Sequence, residues 1–337
     1  MIREAIGALV SGRSLTTEEI ASAMEEIMAG EATPAQFGAF VTALRLKGET
    51  VDEIVGLVKT MRAEAIPVTV AGPVVDTCGT GGDGSATFNI STVAAFVVAG
   101  AGLKVAKHGN RAISSQCGSA DVLEALGVKI ELTADQVLRC LEEVGIGFIF
   151  APAFHPAMKY AAAPRREIGI RTVFNILGPL TNPADVKAQV LGVADSSLVE
   201  KLASVLQRLG CYHALVVHGE DGLDEITPTG KTQVCELKHG DIMSYAVTPE
   251  DFGLSRAGLD SLRGGTADEN AARLRNILSG SMGSQQDVVL MNAAAALVAG
   301  DMVETLPQGV DLARETLDNG YALAKLEQLI ELSQSLT

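Results

Sequence analysis

VVDTCGTGGDGSATFNISTVAAFVVAGAGLKVAKHGNRAISSQCGSADVLEALG, residues 74–127, reads as two successive strand–loop–helix units. In the first, Val74 and Val75 end a short apolar run and Gly79, Gly81, Gly82 and Gly84 crowd the turn. Asn89, Ser91 and Thr92 then precede an apolar run over 93–98 that predicts a buried helix. In the second, 103–106 reads as a strand with Lys107-His108-Gly109-Asn110-Arg111 at its end. Ser114, Ser115, Gly118 and Ser119 lead from there into a helix over 121–126. Glycine permits positive φ and close approach of backbone N–H groups to a ligand. A helix N-terminus adds unpaired donors and a field that favours anions. One glycine-rich loop often does no more than turn the chain. Two in tandem, each with hydroxyls at a helix start and with a lysine and an arginine between them, suit a ligand carrying phosphate at both ends. No Gly-Lys-Ser/Thr follows the glycines, so the loop is not a P-loop. The glycine spacing, with Asp83 inside the loop, is not that of a dinucleotide fingerprint either.

A chain of 337 residues is long for one compact core, which predicts one large or two associated domains. Hydrophobic residues make up 47% and charged residues 20%, a globular balance; with no Trp and 4% aromatics, the core falls to Ala, Val, Leu and Ile. The net charge of −15 argues against nucleic acid as a partner, so a polyanion must find a local basic pocket or a metal ion. Five cysteines (Cys78, Cys117, Cys140, Cys211 and Cys235) contain no C-x-x-C pair, which predicts a reduced, cytoplasmic chain. The N-terminus does not read as a signal peptide, and runs such as 93–103 are too short to cross a membrane.

Residues 1–65 predict four short helices near 2–11, 17–29, 34–46 and 51–64. Thr16 with Glu19, Thr33 with Gln36 and Thr50 with Glu53 have capping-box spacing, Pro34 suits a first helical position, and Gly30 and Gly48 suit helix ends. Ala35, Phe37, Phe40, Val41 and Leu44 give the third helix a broad apolar side, to be covered by the rest of the chain or by a second copy. Alternating strands and helices from 74 to 150 predict an α/β unit with a mainly parallel sheet, continued by strands at 128–132, 148–150, 188–193 and 214–218 and helices at 138–144 and 197–209. Both glycine-rich turns then lie at the carboxyl edge of the sheet, where such folds bind ligands. Helices are also expected at 155–163, 164–177, 266–278 and 286–298, and a hairpin over 231–247. The 152–183 stretch interrupts the alternation, which suggests a return to the helical layer.

Asp76-Thr77-Cys78-Gly79-Thr80-Gly81-Gly82-Asp83, Phe88-Asn89-Ile90-Ser91-Thr92 and Lys107-His108-Gly109-Asn110-Arg111 closely resemble the anthranilate phosphoribosyltransferase family, and the likeness covers nearly the whole chain. The resemblance implies the nucleoside phosphorylase-like transferase fold: a small helical domain over 1–70, joined by about 155–183, and a large α/β domain over 71–337. It implies transfer of a phosphoribosyl group from phosphoribosyl pyrophosphate to anthranilate in tryptophan biosynthesis, with Mg²⁺ as cofactor, and a homodimer formed through the helical domain. Carried over residue by residue, it assigns Gly79, Gly82, Asp83, Thr87, Asn89, Ile90, Ser91, Thr92 and Ser119 to phosphoribosyl pyrophosphate. The loop Lys107, His108, Gly109, Asn110, Arg111, Ala112, Ile113, Ser114 and Ser115 joins them. Gly79, Asn110 and Arg165 go to anthranilate, whose carboxylate suits a planar guanidinium; Arg166 is the neighbour that competes for this role. Asp224 and Glu225, with Ser91, go to magnesium, which favours hard carboxylate oxygens. Glu220 and Asp221 read as surface acids of the same turn. No residue is needed as a general base, because the aromatic amine of anthranilate is already unprotonated at neutral pH. His155, His213, His218 and His239 show no metal-ligand spacing, and Cys78 and Cys117 read as packing residues. Two other readings share the scaffold: a pyrimidine nucleoside phosphorylase, which is longer and lacks Lys-His-Gly-Asn-Arg, and a non-catalytic nucleic-acid-binding relative, which the charge and the Asp224-Glu225 pair oppose.

Overall fold

The computed structural model describes residues 1–112 and 116–336. Four helices open the chain: α1 (Ile2–Val10), α2 (Thr17–Met28), α3 (Pro34–Lys47) and α4 (Val51–Ala63). Each of the three expected capping boxes is formed, the Thr hydroxyl accepting from the third backbone N–H and the Glu or Gln side chain answering to the cap. Glu53 does more than cap. It is wholly buried and also accepts from Leu15 N (2.9 Å) and pairs with Lys47 (2.9 Å), tying α4 to the α1–α2 loop and to the end of α3.

The α/β part runs β1 (Val74–Gly79), α5 (Ile90–Gly100), β2 (Lys104–Gly109), α6 (Ser119–Ala125), α7 (Ala134–Glu143), β3 (Ile146–Phe150), α8 (Ala151–Phe154), α9 (Lys159–Ile168), α10 (Phe174–Leu177), β4 (Ala188–Gly192), α11 (Val199–Arg208) and β5 (His213–Gly219). The hairpin β6 (Thr232–Lys238) and β7 (Asp241–Val247) follows, then α12 (Ala267–Leu278), α13 (Ser284–Ala299), α14 (Leu306–Asp318) and α15 (Tyr321–Ser335). The sheet order is β3-β2-β1-β4-β5-β6-β7; β1 to β5 are parallel and the hairpin is antiparallel at one edge. Alternation along β5 shows why the sheet is covered twice. Leu215 and Val217 join the core under α5 and α13, while Ala214 and Val216 join a second core with α11 and the N-terminal helices.

Two expectations fail for identifiable reasons. Residues 128–132 form no strand: Val128, Ile130 and Leu132 are buried in alternation, but Lys129 N donates to Ser333 Oγ of α15 (3.1 Å) instead of joining a ladder. Pro164 does not start a helix. It sits buried inside α9, which ends at Gly169 in the left-handed region (φ +67°), and the second expected helix shrinks to the four residues of α10. α14 and α15 lie beyond the expected elements, and Thr305 and Gln308 form a capping box that marks the start of α14.

Candidate active site

β1, β2, β4 and β5 end in Gly79, Gly109, Gly192 and Gly219 at one edge of the sheet. Strand order reverses between β1 and its neighbours β2 and β4, so a crevice opens above this edge. Asp224 and Glu225, in the turn after β5, reach back across β4 into it. Gly192 makes that crossing possible, because a β-carbon there would overlap the Asp224 carbonyl, and a β-carbon on Gly79 would strike the Asp224 carboxylate. Gly81 N donates to Asp224 Oδ2 (2.7 Å), and Ser91 N, in the first turn of α5, donates to Glu225 Oε1 (3.1 Å). Asp83, braced by Ser85, lies against Asp224. From below, Asn292 of α13 accepts from Ile226 N (2.9 Å) and donates to Ile226 O (3.1 Å), pinning the residue that follows the acid pair.

Crowding three acids has an electrostatic cost. Lost solvation, then Asp83, pushes the Asp224 carboxyl up to about 6; lost solvation, then Asp224, pushes Glu225 up to about 8. Lys107 opposes the rise at Glu225. Its ammonium is buried, donating to Thr77 O (2.6 Å) and Ser91 Oγ (3.4 Å), and burial pushes its own pKa down against Asp76. Asp76 lies beneath it, held by Asn182 (2.8 Å) and pushed up to about 6 by burial. Among the described residues no three His, Cys, Asp or Glu side chains converge to hold a metal by themselves. An oxygen-only pair of carboxylates fits an ion that takes its other ligands from water and phosphate, which is the habit of Mg²⁺.

The second loop closes beside the first. Asn89 Nδ2 donates to Cys117 O (3.1 Å), and Asn89 Oδ1 accepts from Asn270 Nδ2 (3.2 Å). Asn270 in turn accepts from Gly265 N (2.9 Å), while Gly264 N donates to Ala86 O (2.8 Å) and Thr87 bridges Arg263. Ser119 Oγ and Ala120 N both donate to Asn110 O, at 3.4 and 3.2 Å. Ala112 N and Gly118 N donate to Asp121 (2.9 and 2.8 Å). Arg111 is already engaged, bidentate on Glu124 (2.7 and 3.1 Å), close to Asp121 (3.3 Å) and 5.7 Å above the Phe150 ring. Ile113, Ser114 and Ser115 lie outside the described residues.

A less polar corner adjoins these loops. His108 Nδ1 meets Gly178 O (3.1 Å), and its ring centroid lies 5.2 Å from that of His155. His108 Nε2 and both nitrogens of His155 are buried without a protein partner. Burial pushes His108 down to about 3 and His155 down to about 4, so both rings are neutral at pH 7. Arg165, on the last turn of α9, rests over the Phe174 ring (5.4 Å) and donates to Phe174 O (3.4 Å); Arg166 points to solvent. Arg171 lies against Gly82, where a β-carbon would overlap its guanidinium, and a cavity of about 500 Å³ opens beside it between Thr80, His218 and Arg45.

Residues 3–65 match the helical bundle domain of the glycosyl transferase family, and residues 71–323 match that family's α/β domain. The anthranilate phosphoribosyltransferase of Dehalococcoides mccartyi is 59% identical over all of this chain and 99% of its own. This chain belongs to the anthranilate phosphoribosyltransferase family. The crystal structure of the Thermus thermophilus member superposes with a TM-score of 0.94 at 45% identity, over 98% of this chain and 99% of that one. The Saccharomyces cerevisiae member, in complex with phosphoribosyl pyrophosphate and Mg, superposes with a TM-score of 0.91 at 29% identity, over 99% of this chain and 98% of that one. The same yeast enzyme has been solved with 4-fluoroanthranilate.

In this anthranilate phosphoribosyltransferase framework, four supporting residues carry no legible signal in the sequence. His155 had no spacing to mark it, yet it shares the buried corner with His108. Asn270 and Asn292 are buried amides: Asn270 joins Gly265 to Asn89, and Asn292 clasps both backbone groups of Ile226, a signal only in three dimensions. Arg171 was placed on a helix, whereas it stands in the connection after α9 and covers the glycine turn. Other candidates are structural. His213 is wedged between Glu236 (2.9 Å) and Asp301 (2.8 Å) at the far edge, and Asp221 accepts from Thr227 (2.5 Å) and Thr229 (2.7 Å). Cys78 is half-buried, and lost solvation pushes its thiol well up, which suits packing and not nucleophilic chemistry.

Proposed function

We infer that this chain transfers the phosphoribosyl group of phosphoribosyl pyrophosphate to the amine of anthranilate, releasing pyrophosphate, in tryptophan biosynthesis. The observation that carries the site assignment is the crossing of Asp224 and Glu225 over Gly192 to the glycine turn of β1, which sets an acid pair beside a bed of backbone donors. Phosphoribosyl pyrophosphate lies between the two loops, its pyrophosphate over Gly79, Gly82 and Asp83 and the start of α5 at Asn89, Ile90, Ser91 and Thr92. Thr87, Ser119 and the loop from Lys107 to Ser115 complete the cradle. Asp224, Glu225 and Ser91 hold Mg²⁺, which, when bound, neutralises charge on the departing pyrophosphate. The chain adds the α5 N-terminus and the Lys107 ammonium, both fixed before the reaction begins. Anthranilate enters beside His108 and His155, with Gly79 and Asn110 near its reacting end and Arg165 at its carboxylate. Neutral imidazoles suit that position, since a cation there would compete with Arg165. The amine attacks the ribosyl carbon as pyrophosphate leaves, and the proton it sheds passes to water or phosphate oxygen.

The helical part is read as 1–70 joined by 155–183, because α9 packs on α2 and α3, and Phe174, Ile176 and Leu177 share their core. Its outer face carries Val10 and Leu46, 73% and 83% exposed, and is the surface proposed for a homodimer. No helix among the described residues is long and apolar enough to cross a membrane. Titrating phosphoribosyl pyrophosphate into the wild type and Asp224→Asn, each with and without Mg²⁺, tests the metal assignment. Mg²⁺ should tighten binding to the wild type at least tenfold and to the variant far less; equal enhancement in both would refute it.

A further inference from the structure

Arg165 is a half-buried cation whose pKa is pushed down by burial, with no acid near enough to raise it. What holds it is aromatic. Its guanidinium carbon lies 5.4 Å from the centroid of Phe174, and Nη2 donates to the Phe174 carbonyl (3.4 Å), so one residue grips the group by its face and by one N–H. A guanidinium held over a ring and by one N–H keeps other N–H groups for a planar carboxylate and loses less freedom when that carboxylate binds. Phe174 cannot owe its own position to α10, which is only four residues long. Its ring packs instead on Phe37 of α3 in a tilted contact, centroids 5.3 Å apart and planes at 44°, and both rings are buried.

We propose that Phe174 is a positioning residue for the acceptor: it sets the orientation in which Arg165 meets the carboxylate, and Phe37 of the helical bundle fixes Phe174. This rests on the assignment of Arg165 to anthranilate. It makes acceptor affinity a property of bundle packing, while the donor site, built on the sheet edge, is independent of it. Neither aromatic residue touches substrate.

The test is steady-state kinetics of the full-length enzyme for Phe174→Leu, Phe174→Tyr, Arg165→Ala and the Phe174→Leu/Arg165→Ala double variant, with thermal unfolding alongside. Phe174→Leu should raise the KM for anthranilate about 5- to 30-fold, the span from an exposed to a desolvated cation–π contact, while the KM for phosphoribosyl pyrophosphate stays within about twofold. Phe174→Tyr keeps the ring face and should restore the wild-type KM. In the Arg165→Ala background, Phe174→Leu should add less than about twofold, because the group it positions is gone. Phe37→Leu, which leaves Arg165 and Phe174 intact, should shift the anthranilate KM in the same direction by less, and it keeps the proposal testable should Phe174→Leu fold poorly. If Arg165→Ala leaves the anthranilate KM unchanged, the assignment of Arg165 falls and the proposal with it. If Arg165→Ala raises it but Phe174→Leu does not, the positioning role alone is refuted. Equal rises in both KM values for Phe174→Leu, unrescued by Tyr, would mark Phe174 as ordinary packing and overturn the proposal.

Discussion

Gly192→Ala probes the close backbone crossing that carries the acid pair over β4. Gly192 ends β4, and the Asp224 carbonyl passes so close above it that a single methyl would occupy the same space. Non-bonded carbon and oxygen need roughly 3.5 Å, so the turn after β5 must retreat by roughly 1–2 Å. Two hydrogen bonds to carboxylates then stretch beyond use: Gly81 N to Asp224 (2.7 Å) and Ser91 N to Glu225 (3.1 Å). Bonds to charged groups are worth about 1.5–3 kcal/mol each, but here they order the pair as much as they stabilise the fold, since both carboxyls are already pushed toward neutrality. Overpacking costs about 1–3 kcal/mol in stability. The functional loss should exceed that, with half-saturating Mg²⁺ raised at least about tenfold and kcat lowered about 100-fold, the usual cost of a 1 Å misplacement. Following anthranilate fluorescence across a Mg²⁺ titration gives both quantities, and thermal unfolding separates them from global destabilisation. A Gly192→Ala enzyme with wild-type Mg²⁺ dependence would show that the pair does not act from this position.

His155 is held neutral by burial, its pKa lowered from 6.5 to about 4, so its contribution to stability is complete above pH 6.5 and is lost as pH falls toward 4. That shift corresponds to about 3 kcal/mol; unfolding free energies of the wild type and His155→Phe, measured from about pH 7 to about pH 4, should diverge by this order, and parallel curves would refute the assignment. Lys107→Met removes the buried ammonium between Asp76 and Glu225 while keeping its stem, and should lower kcat/KM for phosphoribosyl pyrophosphate by about 100-fold or more with little change in the KM for anthranilate. A matching loss in both substrates would place Lys107 in the scaffold only.

How much the sequence disclosed depended on how local each signal was. The three N-terminal capping boxes are statements about four consecutive residues, and the helices they predict begin where expected. The glycine turns fall at strand ends because glycine and alternation are likewise local. Residues 128–132 misled because alternating burial against α15 has the same period as a strand but no ladder partner. Pro164 misleads because it is buried within α9, and the packing of α9 on α2 and α3 holds the helix together across a missing donor. The passage of Asp224 over Gly192, the Asn270–Asn89–Cys117 chain and the His108–His155 pair join residues from distant elements. Only the strand order brings them together, and a single sequence carries no direct record of it.

The most direct test of the account is the loss of anthranilate fluorescence on adding phosphoribosyl pyrophosphate, with Mg²⁺ or with a chelator, to the wild type and to the Asp224→Asn/Glu225→Gln enzyme. The account predicts rapid, Mg²⁺-dependent loss in the wild type and a rate reduced at least about 100-fold in a variant that still folds. Undiminished turnover by that variant at limiting Mg²⁺ would contradict it.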